Sequence, residues 1–322
     1  MIKAGIIEGT GYKAGELIRL LLNHPDVEIT WVTSRDHAGM PLSSCHRGLT
    51  GETDICFTDT ADTGAINALF VCGDAGSALA DLPADVKVID LRCEARTTAS
   101  IDSEATEGTV YGLPEHARKA LVRGATRAVV PGELATALEL SLLPLARHLL
   151  LNSDIHATAV IGSSEADGSL NEAIHTRRAE NVTPSALLAH ADVAEVTRLL
   201  SGVQSSCRSK VNVVGLDGPF ARGLITVTYL DCPVATDELV KLYTDFYDDH
   251  NFTFVSPDVP DLKEVVNTNK CLLHLRKSDG MLVIVAVIDN LLKGSAGTAV
   301  HDMNLLFGLH ERTGLNLKAS AF

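Results

Sequence analysis

Short apolar runs alternate with amphipathic segments over the first 130 residues. The apolar runs predict β-strands at 3–7, 28–33, 68–72, 87–91 and 127–130. Between the first two strands, segment 13–22 carries leucine and isoleucine on one wide face and ends at Asn23-His24-Pro25, which predicts a helix. Strands that alternate with helices are typical of an α/β domain with a mostly parallel, doubly wound sheet.

The pattern changes after about residue 150. A long apolar helix is predicted at 134–150, and amphipathic helices at 184–200 and 236–248 lie among further strands. Those strands are predicted at 156–161, 210–214, 224–230, 271–276 and 281–288. This mixture predicts an α+β second domain, with an antiparallel or mixed sheet and helices on one face. A last helix at 298–309 follows a glycine-rich stretch at 293–297.

Composition narrows the class of partner. The chain has 322 residues, 46% of them hydrophobic, and a formal net charge of −14, which argues against a nucleic-acid partner. No apolar run reaches the length of a membrane span, and residues 1–7 have the pattern of a strand instead of a signal peptide. Seven scattered cysteines without a C-x-x-C pair predict reduced thiols in a cytoplasmic protein and no metal site.

A glycine-rich turn joins the first strand to the first helix. Gly9, Gly11 and Gly15 form G-x-G-x-x-x-G, with Thr10 and Tyr12 between them. Such glycines let the backbone approach a pyrophosphate at a helix N-terminus, so residues 9–12 are predicted to bind a dinucleotide. A tight turn that holds no ligand is the alternative interpretation.

The second strand ends at Ser34 and Arg35, where dinucleotide-binding folds contact the adenosine ribose. A hydroxyl and a guanidinium at this place suit a 2′-phosphate, which indicates NADP over NAD. Asp36 weakens that assignment, and a solvated arginine at the start of a loop is the alternative. Cys72, at the end of a strand near the same crevice, is the other side chain considered there.

Several longer segments together carry a family resemblance. They are Gly15-Glu16-Leu17-Ile18-Arg19, Tyr111-Gly112-Leu113-Pro114-Glu115, Pro131-Gly132 with Ala135-Thr136, Val266-Asn267-Thr268-Asn269-Lys270 and Asp289-Asn290-Leu291-Leu292-Lys293-Gly294. In these segments the chain resembles the N-acetyl-gamma-glutamyl-phosphate reductase family of arginine biosynthesis, which is similar in architecture to aspartate-semialdehyde dehydrogenase.

The resemblance implies a domain plan and a chemistry. It implies an NADP-binding Rossmann-like domain over 1–135, completed by 297–322 with Gly297 at the cofactor, and a substrate and dimerisation domain over 136–296. It also implies a homodimer or homotetramer. In the family, a cysteine thiolate attacks an acyl phosphate, NADPH reduces the thioester to an aldehyde, and a histidine serves as acid and base.

This chain departs from the family where that chemistry takes place. The family's cysteine aligns with Glu133, its acid–base histidine with Asp192 near His190, and its first loop glycine with Glu8. In segment 162–167 the departures are Glu165 and Asp167. These carboxylates oppose an anionic substrate and an anionic cofactor, so NADP binding is predicted to be weak or absent.

Three functions remain open from the sequence. The first is a non-catalytic homologue that acts through binding or assembly, with an unknown small molecule or another arginine-pathway enzyme. The second is different chemistry that uses Glu133 and Asp192 as acid and base, with His190 as a further candidate catalytic residue. The third is the family's NADP-dependent reductase activity. The added carboxylates could also hold a cation, although loss of selection on a wet pocket explains them more simply.

Overall fold

The computed structural model describes residues 1–76, 78–80, 82–104, 108–165 and 172–320, with the backbone alone for Glu165 and Glu172. The described chain divides into two compact units. The first contains Met1–Val130 and Ser295–Asn316, and the second contains the described residues of 131–294 and 317–320. Each unit has its own seven-stranded sheet. The assignment of cofactor binding to one unit and substrate binding to the other stays a prediction.

The first unit has a parallel sheet with strand order β3-β2-β1-β4-β5-β7-β6. The strands are β1 Ile2–Ile7, β2 Val27–Thr33, β3 Phe57–Thr58, β4 Ala68–Val71, β5 Lys87–Asp90, β6 Thr109–Tyr111 and β7 Arg127–Val129. Helices, numbered along the whole chain, are α1 Tyr12–Leu22, α2 Pro114–Arg123 and α7 Gly297–Leu306. The predicted doubly wound sheet is therefore confirmed.

The strand order places three carboxyl ends side by side. Strand β1 pairs with β2 on one side and with β4 on the other, all in parallel. From β1 the chain adds β2 and β3 on one side of the sheet and the later strands on the other side. In folds with such a change of side, ligands bind in the crevice outside the carboxyl ends of the strands. All four residues of β4 are buried, as expected for a strand covered on both faces.

The second unit has a mixed sheet with strand order β12-β13-β14-β11-β8-β10-β9. Its strands are β8 Ile155–Ile161, β9 Thr183–Leu187, β10 Val211–Asp217, β11 Leu224–Asp231, β12 Thr253–Val255, β13 Cys271–Ser278 and β14 Met281–Ile288. Its helices are α3 Glu133–Arg147, α4 Glu172–Arg178, α5 Asp192–Val203 and α6 Thr236–Tyr247. Only the β8–β10 and β12–β13 pairs are parallel, which confirms the predicted α+β architecture.

Helix α3 is the central element of the second unit, since every residue from Glu133 to Ala146 is buried. Pro144 has no N–H, so the helix cannot bond the carbonyl of Leu140 in the usual way. The Tyr247 hydroxyl of α6 donates to that carbonyl at 2.6 Å, and the Tyr243 hydroxyl donates to the carbonyl of Ser141. The Tyr247 hydroxyl thus bonds the one carbonyl that the proline deprives of its helical donor. Burial raises the pKa of Tyr243 well above its usual value.

The helix predicted over 184–200 is wrong in its first half. Residues Thr183–Leu187 form the edge strand β9, and the helix begins only at Asp192. Strand β9 pairs antiparallel with β10, and Leu187 lies opposite Val214. Pro184 is compatible with an edge strand, because it does not have to donate a hydrogen bond on its open side. Pairing with a distant strand therefore overrode the local helical pattern.

One face of the second sheet carries partly exposed side chains, and we name it the outer face. Its residues are His156, Thr158 and Val160 of β8, Ile225, Val227 and Tyr229 of β11, and Met281, Val283 and Val285 of β14. Val227 is 37% exposed and Tyr229 is 40% exposed. The Tyr229 ring stacks on His156 with centroids 5.4 Å apart. Intervening residues of β11 point to the opposite, buried face, on which α3 packs.

Among the described residues, no helix is long and apolar enough to cross a lipid bilayer.

Candidate functional site

Glu133 is the first residue of α3 and is only 5% exposed. A Cβ atom added to Gly294 would lie 3.1 Å from the Glu133 side chain, so glycine at 294 leaves room for this carboxylate. The N-terminus of a helix concentrates unsatisfied N–H groups and stabilises negative charge. The structure therefore places Glu133 where an anion is favoured.

Two carboxylates from α5 reach the same helix terminus. Asp192 Oδ2 accepts a hydrogen bond from the N–H of Ala135 at 3.1 Å, and Glu195 Oε1 accepts one from the N–H of Gly132 at 3.3 Å. We call Glu133, Asp192 and Glu195 the carboxylate cluster. All three are buried. The protein's own side chains thus bond N–H groups that could otherwise hold a bound anion.

His190 lies directly beside the carboxylate cluster. Its Nδ1 accepts a hydrogen bond from the N–H of Asp192 at 3.2 Å and lies 4.0 Å from Asp192 Oδ1. The structure therefore brings the predicted residues Glu133, His190 and Asp192 to one place, while their catalytic roles stay predictions. Sequence reasoning missed Glu195, although its position one helical turn after Asp192 places both carboxylates on one side of α5.

Removing the Asp192 carboxylate tests its capping role. We expect Asp192→Ala to lower the free energy of unfolding by about 1–3 kcal/mol, because the buried N–H of Ala135 loses its acceptor. Urea unfolding followed by circular dichroism measures this. The matched control is Asp237→Ala, an exposed carboxylate in the first turn of α6, for which we expect less than about 1 kcal/mol. Equal losses in the two variants would contradict the capping role.

The segment after β8 is fixed by side chains of α4. The Ser163 hydroxyl is hydrogen-bonded to His175 Nδ1. Arg178 donates to the carbonyl of Gly162 at 3.1 Å and forms an ion pair with Asp217 at 2.9 Å. The predicted acidic departures in this segment, Asp167 and the side chain of Glu165, lie outside the described residues.

The glycine-rich turn of the first unit is packed by the protein's own side chains. A Cβ at Gly9 would lie 2.1 Å from Val32, and a Cβ at Gly15 would lie 2.6 Å from the ring of His46. Packing alone thus requires glycine at both positions. The N–H groups of Thr10 and Gly11 have no acceptor in the part of the chain that the structure describes. They remain available to a pyrophosphate, so the predicted role of residues 9–12 stands as a prediction.

His46 contacts this turn from a distant segment, and sequence reasoning did not identify it. Its Nε2 donates to the carbonyl of Gly9 at 2.6 Å, and burial lowers its pKa. A neutral ring with the proton on Nε2 fits this contact. His46 is brought to the turn only by the fold, because the intervening chain passes through α1, β2 and the short 3-10 turn Leu42–Ser44.

A pocket of about 410 Å³ lies at the carboxyl ends of β1, β2 and β4, and we call it the Arg35 pocket. Its lining is Ile7, Glu8, Thr33, Arg35, Asp59, Ala61, Thr63, Asp74, Ala75, Gly76 and Ala78. The predicted cofactor residue Arg35 therefore lines a cavity. The Ser34 side chain is buried and its hydroxyl is hydrogen-bonded to His37 at 3.2 Å. Tyr12 is the first residue of α1 and Gly297 is the first residue of α7. Each helix starts one residue before the start that the sequence predicted.

Carboxylates outnumber cations in the described lining of the Arg35 pocket. Three carboxylates, those of Glu8, Asp59 and Asp74, accompany one guanidinium in the lining. Burial raises the pKa of Glu8, and Arg35 opposes that rise, which shows that the two groups lie within electrostatic range.

The other candidate groups are a thiol and a metal site. Burial raises the pKa of the Cys72 thiol to about 12, so this side chain is a neutral thiol near pH 7 and a poor nucleophile. Within the described residues, no group of three or more His, Cys, Asp or Glu side chains is placed to hold a metal ion.

Comparison with known proteins accounts for both units. Residues 3–123 match the family profile described as semialdehyde dehydrogenase, NAD binding domain, and residues 134–290 match the profile described as semialdehyde dehydrogenase, dimerisation domain. The N-acetyl-gamma-glutamyl-phosphate reductase of Parabacteroides distasonis is 46% identical over 100% of both chains. The chain belongs to the N-acetyl-gamma-glutamyl-phosphate reductase family. The reductase of Phocaeicola vulgatus, 43% identical over the full length of both chains, is another relative.

Solved structures share the fold of this reductase family member. Aspartate semialdehyde dehydrogenase II from Vibrio cholerae, complexed with ASA, has a TM-score of 0.70 at 15% identity and covers 96% of this chain and 98% of its own. The Candida albicans aspartate semialdehyde dehydrogenase with NADP has a TM-score of 0.67 at 16% identity, with 95% and 98% covered. At these identities the likeness concerns the fold alone.

Proposed function

We propose that this member of the reductase family does not reduce an acyl phosphate through a thioester and acts instead through binding or assembly. The observation that carries the proposal is the carboxylate cluster at the start of α3. Glu133 stands where the family's cysteine aligns, and Asp192 stands where its acid–base histidine aligns. The N–H groups of Gly132 and Ala135 are bonded to carboxylates of the same chain.

The chemistry of a carboxylate supports this proposal. Attack of Glu133 on an acyl phosphate would expel phosphate and leave a mixed anhydride, which hydrolyses readily. A thiolate is the stronger nucleophile, and its thioester persists long enough to accept hydride. Three buried carboxylates also repel an anionic substrate, by about 1–4 kcal/mol for each close pair of charges.

No other cysteine of the chain replaces the missing thiol nucleophile at the start of α3. Of the seven cysteines, none lies in α3, and those of the second unit are Cys207, Cys232 and Cys271, all buried. The first unit's Cys72 is held neutral by burial. Acyl transfer to sulfur at the start of α3 therefore has no candidate nucleophile in this chain.

A second candidate function is acid–base catalysis by the carboxylate cluster on a different substrate. The contact of His190 with Asp192, close to Glu133, supports it, because a histidine and a carboxylate can exchange protons with a bound molecule. Burial of the cluster and the capping bonds of Asp192 and Glu195 weigh against it, since these oxygens are already engaged.

An assay of the family reaction tests the proposal. With N-acetyl-gamma-glutamyl phosphate and NADPH, we expect a kcat/KM at least about 10⁴-fold below that of the Parabacteroides distasonis relative, since loss of a nucleophile removes a step that other groups cannot supply. The measurement is NADPH absorbance. Glu133→Cys alone should remain inactive, because Asp192 still replaces the histidine. The seven thiols of the unmodified protein should also yield no acyl adduct by mass spectrometry.

Normal turnover by the unmodified chain would refute the proposal and support retained reductase activity. Turnover that appears in Glu133→Cys but is absent in the unmodified chain would show that the nucleophile alone was missing. Turnover of another substrate that is abolished by Glu133→Gln would favour acid–base chemistry over a binding role.

Self-association and cofactor use form part of the same proposal. The outer face presents apolar side chains in the segment whose family profile is described as a dimerisation domain, so we propose that this face forms a homodimer, alone or within a homotetramer. NADP binding is proposed to be weak because of the charges of the Arg35 pocket. A cytoplasmic location, an arginine-pathway partner and the absence of a nucleic-acid partner stay predictions.

A further inference from the structure

One row of side chains crosses five strands of the second sheet and joins the outer face to strand β9. In this row Val227 of β11 pairs with Val285 of β14 on one side and with Thr158 of β8 on the other. Thr158 in turn pairs with Val214 of β10, and Val214 pairs with Leu187 of β9. Paired residues of neighbouring strands project from the same side of a sheet. Leu187 therefore extends the outer face to the edge of the sheet.

The β9 end of this row is the most exposed part of it. Leu187 is 65% exposed, against 37% for Val227, and the following residue, Leu188, is also 65% exposed. Contiguous exposed apolar side chains mark surfaces that another protein covers. The occupant that fits is a second copy of the chain, because β9 and the outer face both lie in residues 134–290, whose family profile is described as a dimerisation domain.

The residues after β9 lead directly to the carboxylate cluster. Segment 187–192 is short enough that its ends are at most about 20 Å apart. Within it, the N–H of Asp192 donates to His190 Nδ1 at 3.2 Å, and Asp192 Oδ2 accepts from the N–H of Ala135 in α3 at 3.1 Å. One short segment thus joins the edge of the outer face to the start of α3, which packs on the opposite face of the sheet.

Few hydrogen bonds hold this segment in a single copy of the chain. The N–H of Leu188 donates to the carbonyl of Val213 in β10 at 2.9 Å, and its φ of 60° lies in the left-handed region that leucine disfavours. The N–H groups of Ala189 and Ala191, both exposed residues, have no acceptor among the residues that the structure describes. Segments with exposed backbone groups and few buried apolar contacts open locally at low free-energy cost.

We propose that a second copy bound to the outer face covers Leu187, fixes segment 187–192 and thereby completes the carboxylate cluster. In the dimer, His190 is held at Asp192, and the carboxylates of Asp192 and Glu195 stay on the N–H groups at the start of α3. In the monomer the segment opens, and these N–H groups become accessible to water. The inference rests on the homodimer proposed above and does not depend on the chemistry of Glu133.

Hydrogen–deuterium exchange of the full-length protein, resolved to single amides by mass spectrometry, tests this coupling. The unmodified protein is compared above and below the dissociation constant that sedimentation velocity gives. We expect the amides of Gly132 and Ala135 to exchange at least tenfold more slowly in the dimer, because their carboxylate acceptors are then fixed. Direct coverage by the partner does not explain such protection, since α3 packs on the face opposite to the outer face.

An internal control separates this effect from a general gain in stability. Leu239 is fully buried in the first turn of α6, and its N–H donates to the carbonyl of Ala235. No residue of segment 187–192 contacts that bond. Its exchange rate should change less than twofold between monomer and dimer.

The variant Leu187→Ser separates the coupling from association itself. It removes the apolar contact at the edge and keeps Val227, so the dissociation constant should change less than tenfold. The dimer-dependent protection of Ala135 should be lost. The matched control is Val182→Ser, since Val182 is 55% exposed and lies just before β9, outside the row of paired residues. That variant should keep the protection.

Equal exchange of Gly132 and Ala135 in monomer and dimer would overturn the inference and leave the homodimer intact. Full protection of Ala135 in dimeric Leu187→Ser would do the same. A protein that stays monomeric at all concentrations would refute the proposed homodimer together with this inference. The proposed loss of thioester chemistry is decided separately by the reductase assay.

Discussion

Asp289→Ala is expected to lower the free energy of unfolding of the second unit by about 3–5 kcal/mol. Asp289 is fully buried, and its Oδ2 accepts hydrogen bonds from Arg222 Nε at 2.6 Å and from the N–H of Asn267 at 2.7 Å. Its Oδ1 accepts from the N–H groups of Leu291 and Leu292 at 2.9 and 3.0 Å. Alanine would leave a charge and three backbone donors without this acceptor.

Urea or thermal unfolding of Asp289→Ala, of a control variant and of the unmodified protein measures this effect. The matched control is Asp245→Ala, which removes an exposed carboxylate whose partner Lys241 lies 2.6 Å away on the same helix. That pair should contribute less than about 0.5 kcal/mol, because solvent screens both charges. If Asp289→Ala were no more destabilising than Asp245→Ala, the four hydrogen bonds to Asp289 would not stabilise the unit as described.

Val227→Lys is expected to weaken self-association by at least about 100-fold in dissociation constant. Val227 is the central residue of the outer face on β11, between Thr158 of β8 and Val285 of β14. In a dimer formed through this face, the ammonium group would be buried among apolar side chains without a carboxylate partner. A penalty of about 3 kcal/mol or more follows, which corresponds to a factor of 100 or greater.

Sedimentation velocity over a range of concentrations distinguishes monomer from dimer. The matched control is Val122→Lys, since Val122 is 56% exposed and lies on α2 of the first unit. That variant should keep the association of the unmodified protein. A monomeric unmodified protein, or an unchanged dimer in Val227→Lys, would exclude the outer face as the contact surface.

Both large effects concern residues whose importance the sequence indicates only in part. Asp289 belongs to a segment that carries the family resemblance, yet the sequence does not reveal that Arg222 and Asn267 converge on it. Val227 is an unremarkable apolar residue in a predicted strand. Its place at the centre of an exposed face depends on the strand order around β11, which the pattern of a single strand does not contain.

In the candidate site, too, the sequence identified some residues and only the tertiary structure identified others. Glu133 was predicted as the residue at the family's nucleophile position, because a local strand-turn-helix pattern identifies it. Its location in the first turn of a buried helix agrees with that pattern. The capping role of Asp192 and Glu195 was not predicted, since α5 reaches the start of α3 only through packing of elements far apart in the chain. The same reason explains why His46 was missed.

The chain's own pattern of residues determined the two architectures, most of the strands and the family, because each of these follows from local periodicity or from contiguous segments. It also determined that residue 133 is glutamate, and hence that the start of α3 carries no sulfur. Only the tertiary structure decided that Thr183–Leu187 is an edge strand, that carboxylates cap α3, and that Glu8 shares a pocket with Arg35. Hydrogen bonds and charges between distant segments set those features, and no local pattern encodes them.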